Sequence, residues 1–164
     1  MYIFIQVITG GFELALACDV LVGDMSVTFR DTHCKFNLAP CWGLSQKLHR
    51  RIGPGRAKLV SLGAIPLKAS QAHAWGLLDE LVDEGECPLR KAMEIADSIG
   101  KNASDMVMRY KRAIEEGGRM TLEQGLKRER GLGLAHYIEA VGDGATFSKA
   151  KEFIKDDKRP RSKL

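Results

Sequence analysis

Residues 9–19 read Thr9-Gly10-Gly11-Phe12-Glu13-Leu14-Ala15-Leu16-Ala17-Cys18-Asp19, and they follow an apolar run from Ile3 to Ile8. A β-like run, two glycines and a helical run in this order predict a strand that leads into a helix start, where backbone N–H groups lack intrahelical partners. Gly10 and Gly11 have no Cβ atom to keep a ligand from the backbone, and Glu13 places a carboxylate one helical turn further on. This stretch therefore predicts an amide donor for negative charge beside a carboxylate that can carry a proton.

The residues after this stretch alternate between strand and helix signals. Short strands are predicted at 20–22 and 27–29, and the polar segment 30–40 has the composition of a loop that carries chemistry. Apolar residues at i, i+4 and i+8 predict a helix over 44–52, which ends at Gly53. This pattern is typical of an α/β region and extends to about residue 86.

Beyond this point the pattern becomes helical. Apolar residues recur at helical spacing, Thr121-x-x-Gln124 is a capping box, and a last helix is predicted around 147–154. The sequence thus predicts three segments: an α/β core at 1–86, a helical C-terminal region at 87–157 and a basic tail at 158–164.

Composition narrows the class of protein. The 164 residues are 45% hydrophobic, which suits one domain with a sizeable core. A net charge of +4, from 25 basic and 21 acidic residues, suits a phosphate-bearing ligand, although ordinary solubility more often explains such a balance. No basic run is interleaved with aromatic residues, and the apolar start is too short for a membrane span. Neither nucleic acid nor a membrane is therefore an expected partner.

Four cysteines, Cys18, Cys34, Cys41 and Cys87, show no paired Cys-x-x-Cys spacing and no matching pair of histidines. No zinc or other metal site is expected from this pattern. Reduced thiols of an intracellular protein are the better interpretation.

The C-terminus carries a targeting signal. Ser162-Lys163-Leu164 is the tripeptide that the peroxisomal import receptor reads, and the basic run 158–161 precedes it. The sequence therefore predicts a peroxisomal location and the import receptor as a partner.

Several motifs resemble the crotonase (enoyl-CoA hydratase/isomerase) family, in its order and spacing, from about Ile8 onward. They are Gly10-Gly11-x-Glu13-Leu14-Ala15-Leu16-x-Cys18-Asp19, Pro40-x-Trp42-Gly43-Leu44-Ser45-Gln46-Lys47-Leu48, Arg51-Ile52-Gly53 to Ala57, and Ile65-x-x-x-Ala69-x-x-Ala72-x-x-x-Gly76-Leu77. The segments 31–33 and 42–46 resemble the plant-type peroxisomal branch of enoyl-CoA hydratases. The family's opening ββα units have no counterpart, so an N-terminally truncated member is expected. The resemblance implies a partial crotonase-like ββα spiral followed by a helical C-terminal oligomerisation region that builds trimer-based homo-oligomers.

The resemblance also implies a chemistry. Family members bind an acyl thioester of coenzyme A, which is part of the substrate, and no separate cofactor is expected. Two backbone N–H groups bind the thioester oxygen and stabilise an enolate-like transition state, and Gly10 matches the glycine that supplies one of them. The other donor comes from an early loop without a counterpart here, and loss of one donor typically lowers the rate by about 10²–10³. Whether this chain is an active enzyme is therefore left open.

Three further residues follow from the resemblance. Glu13 matches the first of two glutamates that position a water and carry a proton, although position alone also fits a carboxylate that interacts with the helix dipole. His33 stands at the place of the second glutamate, where it either holds the water and carries a proton or is a structural loop histidine bonded to backbone. The backbone N–H of Cys41 occupies the place of a glycine amide that helps to hold the water.

The first functional hypothesis is an enoyl-CoA hydratase-like protein of peroxisomal fatty acid β-oxidation, which hydrates trans-2-enoyl-CoA to 3-hydroxyacyl-CoA. One alternative is an enoyl-CoA isomerase, which transfers a proton without adding water. The other alternative, from a different class, is a truncated, non-catalytic subunit that acts by oligomerisation.

Overall fold

The computed structural model describes residues 6–140. The chain divides into two compact units, Met1–Lys101 and Asn102–Leu164. The division lies C-terminal to the boundary that the sequence predicts at residue 86. The predicted helix around 147–154 and the tail at 158–164 lie outside the described residues.

Short strands and helices alternate along the first part of the described chain, and three longer helices follow. The strands are β1 (Gln6–Ile8), β2 (Val22–Gly23), β3 (Thr28–Arg30), β4 (Leu67–Lys68) and β5 (Glu80–Leu81). The helices are α1 (Gly10–Ala15), α2 (Leu44–Ile52), α3 (Pro54–Leu62), α4 (Ala69–Ala74), α5 (Pro88–Gly100), α6 (Ser104–Gly117) and α7 (Leu122–Ala140). A single 3₁₀ turn, Cys34–Phe36, lies in the loop after β3.

Residues 6–101 of the first unit form two small sheets. In one, β3 lies between β1 and β4, parallel to β1 and antiparallel to β4, with Val7 opposite Phe29. In the other, β2 pairs with β5 in parallel. Because β1 and β3 are parallel neighbours, their carboxyl ends meet at one edge, where α1 and the loop from Asp31 both begin. This edge brings the two candidate chemical segments together.

The core of the first unit is built between the larger sheet and its helices. Phe12 of α1 and Phe29 of β3 are fully buried, with ring centroids 5.2 Å apart. Leu44, Leu48 and Ile52 are buried, which confirms the helical face predicted for 44–52. The side chain of Glu13 is therefore carried on a helix whose position is determined by aromatic packing.

The helix ends follow local signals. Gly53 has a φ of 86° and ends α2, as predicted, and Pro54 then occupies the first turn of α3. Helix α5 belongs to the first unit, in which it packs against β2.

The second unit, as far as residue 140, is a helical hairpin of α6 and α7. The predicted capping box is confirmed, since the Thr121 N–H donates to Gln124 Oε1 at 3.1 Å and the Gln124 N–H donates to Thr121 Oγ1 at 3.3 Å. Glu116 of α6 accepts hydrogen bonds from Arg112 and, across the hairpin, from Arg128. Within residues 6–140 no helix is both long and apolar enough to cross a membrane.

Candidate active site

Glu13 lies in the first turn of α1 with its carboxylate turned into the protein. The residue is 3% exposed, and its Oε1 accepts the backbone N–H of Trp42 at 2.9 Å and that of Leu44 at 3.4 Å. These bonds connect α1 to the start of α2. They occupy Oε1 and leave Oε2 as the oxygen available for chemistry.

His33 lies in the loop after β3 and is also buried. Its Nδ1 lies 2.7 Å from Asp31 Oδ1, and its backbone N–H donates to the same oxygen at 3.0 Å. The ring thus bonds to a side-chain carboxylate, whereas the structural alternative raised from sequence has it bonded to backbone. Its Nε2 faces Glu13 Oε2 at 3.8 Å. The structure therefore brings together the two side chains that the sequence singles out.

Thr9 makes the sharp turn between β1 and α1. Its φ of 46° is unusual for a β-branched residue, and such strained positions need neighbouring interactions to persist. The Thr9 N–H donates to the Arg30 carbonyl at 3.0 Å, and the Thr9 hydroxyl bonds to the Thr32 hydroxyl. These contacts join the start of α1 to the loop that carries His33.

Gly10 is the first residue of α1 and lies against the indole of Trp42. A Cβ atom at Gly10 would lie 3.3 Å from Trp42 Cζ3, so a larger residue would require the ring to move. The indole itself is largely exposed. Cys41 is exposed and immediately precedes Trp42, whose N–H binds Glu13.

A pocket of about 460 Å³ opens beside Asp31 and His33. Its walls come mainly from α2 and α3, and most of the lining surface is apolar. The apolar lining includes Leu44, Leu48, Ala57 and Leu62. A hydrocarbon group is the kind of ligand that such walls favour.

Sequence reasoning missed several parts of this site. Asp31 is not among the residues that the sequence singles out, yet its carboxylate is the partner of His33. An aspartate two residues before a histidine is a sequence signal for it, because Asp side chains often accept the backbone N–H two residues on. The Trp42 and Leu44 amides carry no side-chain signal and were not predicted.

The three titratable groups form a row, with the Asp31 and Glu13 carboxylates on opposite nitrogens of the His33 ring. This order suits proton transfer and orientation of the ring. Over residues 6–140, no three His, Cys, Asp or Glu side chains converge as metal ligands.

The chain is similar to one protein family over most of its length. Residues 6–141 match the family model described as enoyl-CoA hydratase/isomerase. The chain is 45% identical over 159 residues to the probable enoyl-CoA hydratase 1, peroxisomal, of Arabidopsis thaliana, which covers 96% of this chain and 59% of that protein. It is 32% identical over 120 residues to the short-chain-enoyl-CoA hydratase of Clostridium acetobutylicum, and the match covers 73% of this chain and 46% of that protein. The chain thus spans about half to three-fifths of these two relatives' length.

Solved structures give the same result. The enoyl-CoA hydratase of Bacillus anthracis matches with a TM-score of 0.80 and 29% identity, over 95% of this chain and 58% of that one. The enoyl-CoA hydratase of Mycobacterium tuberculosis matches with a TM-score of 0.63 and 34% identity, over 77% of this chain and 59% of that one. These matches confirm the resemblance seen in the sequence and the predicted α/β class with C-terminal helices. With the family model matched over residues 6–141, the chain belongs to the enoyl-CoA hydratase/isomerase, or crotonase, family.

Proposed function

We propose that this chain carries the hydration site of an enoyl-CoA hydratase of peroxisomal fatty acid β-oxidation, which converts trans-2-enoyl-CoA to 3-hydroxyacyl-CoA. The observation that carries the proposal is the buried pair formed by Glu13 Oε2 and His33 Nε2, 3.8 Å apart. Each group has its other polar atom occupied, Oε1 by two backbone amides and Nδ1 by Asp31. The two free atoms therefore face the same small space.

One water can bond to both free atoms, because ordinary hydrogen bonds of about 2.8 Å reach a common point beside atoms at this separation. In the proposed reaction the water oxygen bonds to C3 of the enoyl group, and one member of the pair takes the water proton. The other member is protonated beforehand, and it gives that proton to C2. The pair as a whole gains one proton and loses one, and transfer of a proton between its members restores the starting state.

Gly10 supplies an amide for the thioester oxygen in this proposal. Addition at C3 moves negative charge onto that oxygen, and the N–H at the start of α1 lies where positive helix-dipole potential is greatest. The Cys41 N–H is proposed to help hold the water. The acyl chain is proposed to use the apolar pocket beside His33, and coenzyme A enters only as part of the substrate.

Location and assembly complete the proposal. Ser162-Lys163-Leu164 fits recognition by the import receptor, and the Arabidopsis relative is named peroxisomal. Large apolar side chains on α6 and α7 are exposed, which supports assembly into a trimer-based homo-oligomer through the second unit. Tyr110, Ile114 and Leu122 are examples, and each is more than 60% exposed.

The test follows the absorbance of a short trans-2-enoyl-CoA during incubation with the full chain. Glu13→Gln keeps an acceptor for the Trp42 and Leu44 amides but loses the proton-carrying group, so we expect turnover to fall by about 10²–10⁴. Glu94→Gln, a surface change in α5, is the matched control and should retain wild-type turnover. Equal turnover in wild type and Glu13→Gln rules the assignment out.

Two other functions remain outcomes of the same experiment. A product with unchanged mass identifies an isomerase, because hydration adds one water to the substrate. If the wild type does not act, the exposed apolar faces of α6 and α7 favour the non-catalytic, oligomer-forming subunit. For such an inactive chain, sedimentation as a trimer supports the non-catalytic subunit, and sedimentation as a monodisperse monomer contradicts it.

A further inference from the structure

We propose that Asp31 is a positioning residue, which keeps a proton on His33 Nδ1 and thereby turns Nε2 toward Glu13 Oε2. This inference rests on the proposed function, because it assigns the part that Asp31 has in the hydration site. Asp31 does not face Glu13, and it acts through the histidine.

The geometry leaves the ring little freedom. Asp31 Oδ1 receives the His33 backbone N–H at 3.0 Å and lies 2.7 Å from the ring Nδ1. A backbone N–H only donates, so this oxygen is an acceptor. An ionised carboxylate has no proton to give, and Nδ1 must therefore be the donor in the shorter contact. In the neutral ring, the lone pair is then on Nε2.

This arrangement matters to the proposed reaction. The Nε2 lone pair is needed to accept a proton from the water, and a ring protonated at Nε2 alone has no lone pair there. When His33 takes that proton, the ring becomes positively charged, and Asp31 at 2.7 Å stabilises it. Asp31 thus favours both the starting tautomer and the charged ring.

Asp24 makes the same kind of backbone turn as Asp31 and serves as a comparison. Asp24 Oδ1 also accepts the backbone N–H two residues on, from Ser26 at 2.8 Å, but it bonds to no histidine. That turn is at the surface, whereas Asp31 is only 2% exposed. Burying a carboxylate is unfavourable unless charge-assisted hydrogen bonds compensate. The His33 ring supplies such a bond to Asp31. The turn at Asp24 forms without one, so the bond to the ring is not a requirement of the turn.

The experiment compares wild type, Asp31→Asn and the control Asp24→Asn as full-length, ¹⁵N-labelled chains. Long-range ¹H–¹⁵N spectra report which ring nitrogen carries the proton, and His33→Gln assigns the His33 signals among the four histidines. We expect a protonated Nδ1 in the wild type, with a downfield proton resonance that is typical of a bond to a carboxylate. In Asp31→Asn that resonance moves upfield, because a neutral amide oxygen is the weaker acceptor. Asp24→Asn leaves it unchanged.

Turnover is the second readout. Loss of the carboxylate should lower kcat by at least about 10-fold, and by as much as about 10⁴-fold if it acts as strongly as the aspartate of a serine protease triad. Asp24→Asn should keep the wild-type kcat. A wild-type His33 without a proton on Nδ1 overturns the inference, as does an Nδ1 resonance that Asp31→Asn does not shift.

The two proposals fail in different ways. A wild-type chain that hydrates no enoyl thioester but shows the expected Nδ1 proton and its shift contradicts the proposed function, and it leaves intact that Asp31 keeps a proton on His33 Nδ1. An active chain whose kcat and Nδ1 resonance are both unchanged by Asp31→Asn contradicts only the assignment of Asp31. If Asp31→Asn does not fold, the wild-type spectrum still decides which nitrogen carries the proton.

Discussion

Arg51 of α2 is a side chain on which three segments of the first unit converge. Its Nη1 donates to the Leu77 carbonyl at 3.2 Å, and its Nη2 donates to the carbonyls of Cys18 and Asp19 at 3.4 and 3.2 Å. Nη1 also pairs with the Asp79 carboxylate at 3.1 Å. Arg51→Ala removes all of these contacts, which join the segment after α1 to α2 and to the segment before β5.

The structure indicates how much each contact of Arg51 contributes to the free energy of unfolding. The Asp79 side chain is 39% exposed, so solvent screens the ion pair, which contributes about 0.5 kcal/mol. Each of the three carbonyl bonds is at the long end of the usual range and contributes about 0.5 kcal/mol. We therefore expect Arg51→Ala to lower the free energy of unfolding by about 2 kcal/mol. Most of this comes from the carbonyl contacts, so Arg51→Lys, which keeps the charge and loses the fork of donors, should lose about half.

Urea unfolding followed by tryptophan fluorescence measures this effect in the first unit, since both tryptophans, Trp42 and Trp75, belong to it. With an m-value of about 1–2 kcal/mol/M, the midpoint should fall by about 1–2 M. Asp79→Asn keeps an acceptor for the Leu21 N–H and completes a double-mutant cycle with Arg51→Ala. A coupling energy as large as the whole Arg51→Ala loss would show that the ion pair dominates and would refute the reasoning. A loss below about 0.5 kcal/mol would refute it as well.

Two further predictions concern the hairpin and the start of α2. Hydrogen bonds from Arg128 and Arg112 lower the pKa of Glu116 from 4.5 to about 2, so its contribution to hairpin stability is present above about pH 4.5 and is lost as the pH falls through 2. Thermal melts followed by far-UV circular dichroism should therefore separate wild type from Glu116→Gln at pH 7 and give equal midpoints below pH 2; equal midpoints at pH 7 would contradict this. Gly43 has a φ of 108°, and the Cβ of an alanine there would meet only side-chain carbons of Lys47. Gly43→Ala should therefore lower the free energy of unfolding by about 1–2 kcal/mol through backbone strain. It should also lower turnover, because the strained backbone moves the Trp42 and Leu44 amides away from Glu13. Gly53→Ala, at a φ of 86° in open space, is the control, which should lose similar stability in urea unfolding and keep its turnover per folded molecule; wild-type turnover in Gly43→Ala would count against the role of these amides.

Several parts of the fold were predictable because they depend on neighbours along the chain. The buried face of α2, its end at Gly53 and the capping box at Thr121 each follow from residues within a few positions of one another, and all are found. The division of the chain does not follow from such patterns. Helix α5 reads as part of a helical region, yet it belongs to the first unit, because its packing partner β2 lies far away in sequence.

The candidate site shows the same contrast. Residue types and spacing selected Gly10 and Glu13 as candidates, and the resemblance to the family added His33 and Cys41; these signals were sufficient to choose the residues. They were insufficient to show that Glu13 and His33 face one another, since this depends on the pairing of β1 with β3. The partner of the His33 ring was missed for a related reason. An aspartate before a histidine predicts a local turn, and only the buried ring conformation shows that the same carboxylate reaches Nδ1.

The sequence by itself therefore determined the family, the helical periodicity and the residue types available for chemistry, because these are properties of short segments. The tertiary structure alone decided which atoms of those residues are free to react. Glu13 has two equivalent oxygens until the Trp42 and Leu44 amides occupy one, and His33 has two nitrogens until Asp31 engages one. The two amides come from a segment far from Glu13 in the chain, and the Asp31 contact depends on how the His33 ring is packed. For this reason the free pair, Glu13 Oε2 and His33 Nε2, exists only in the folded protein.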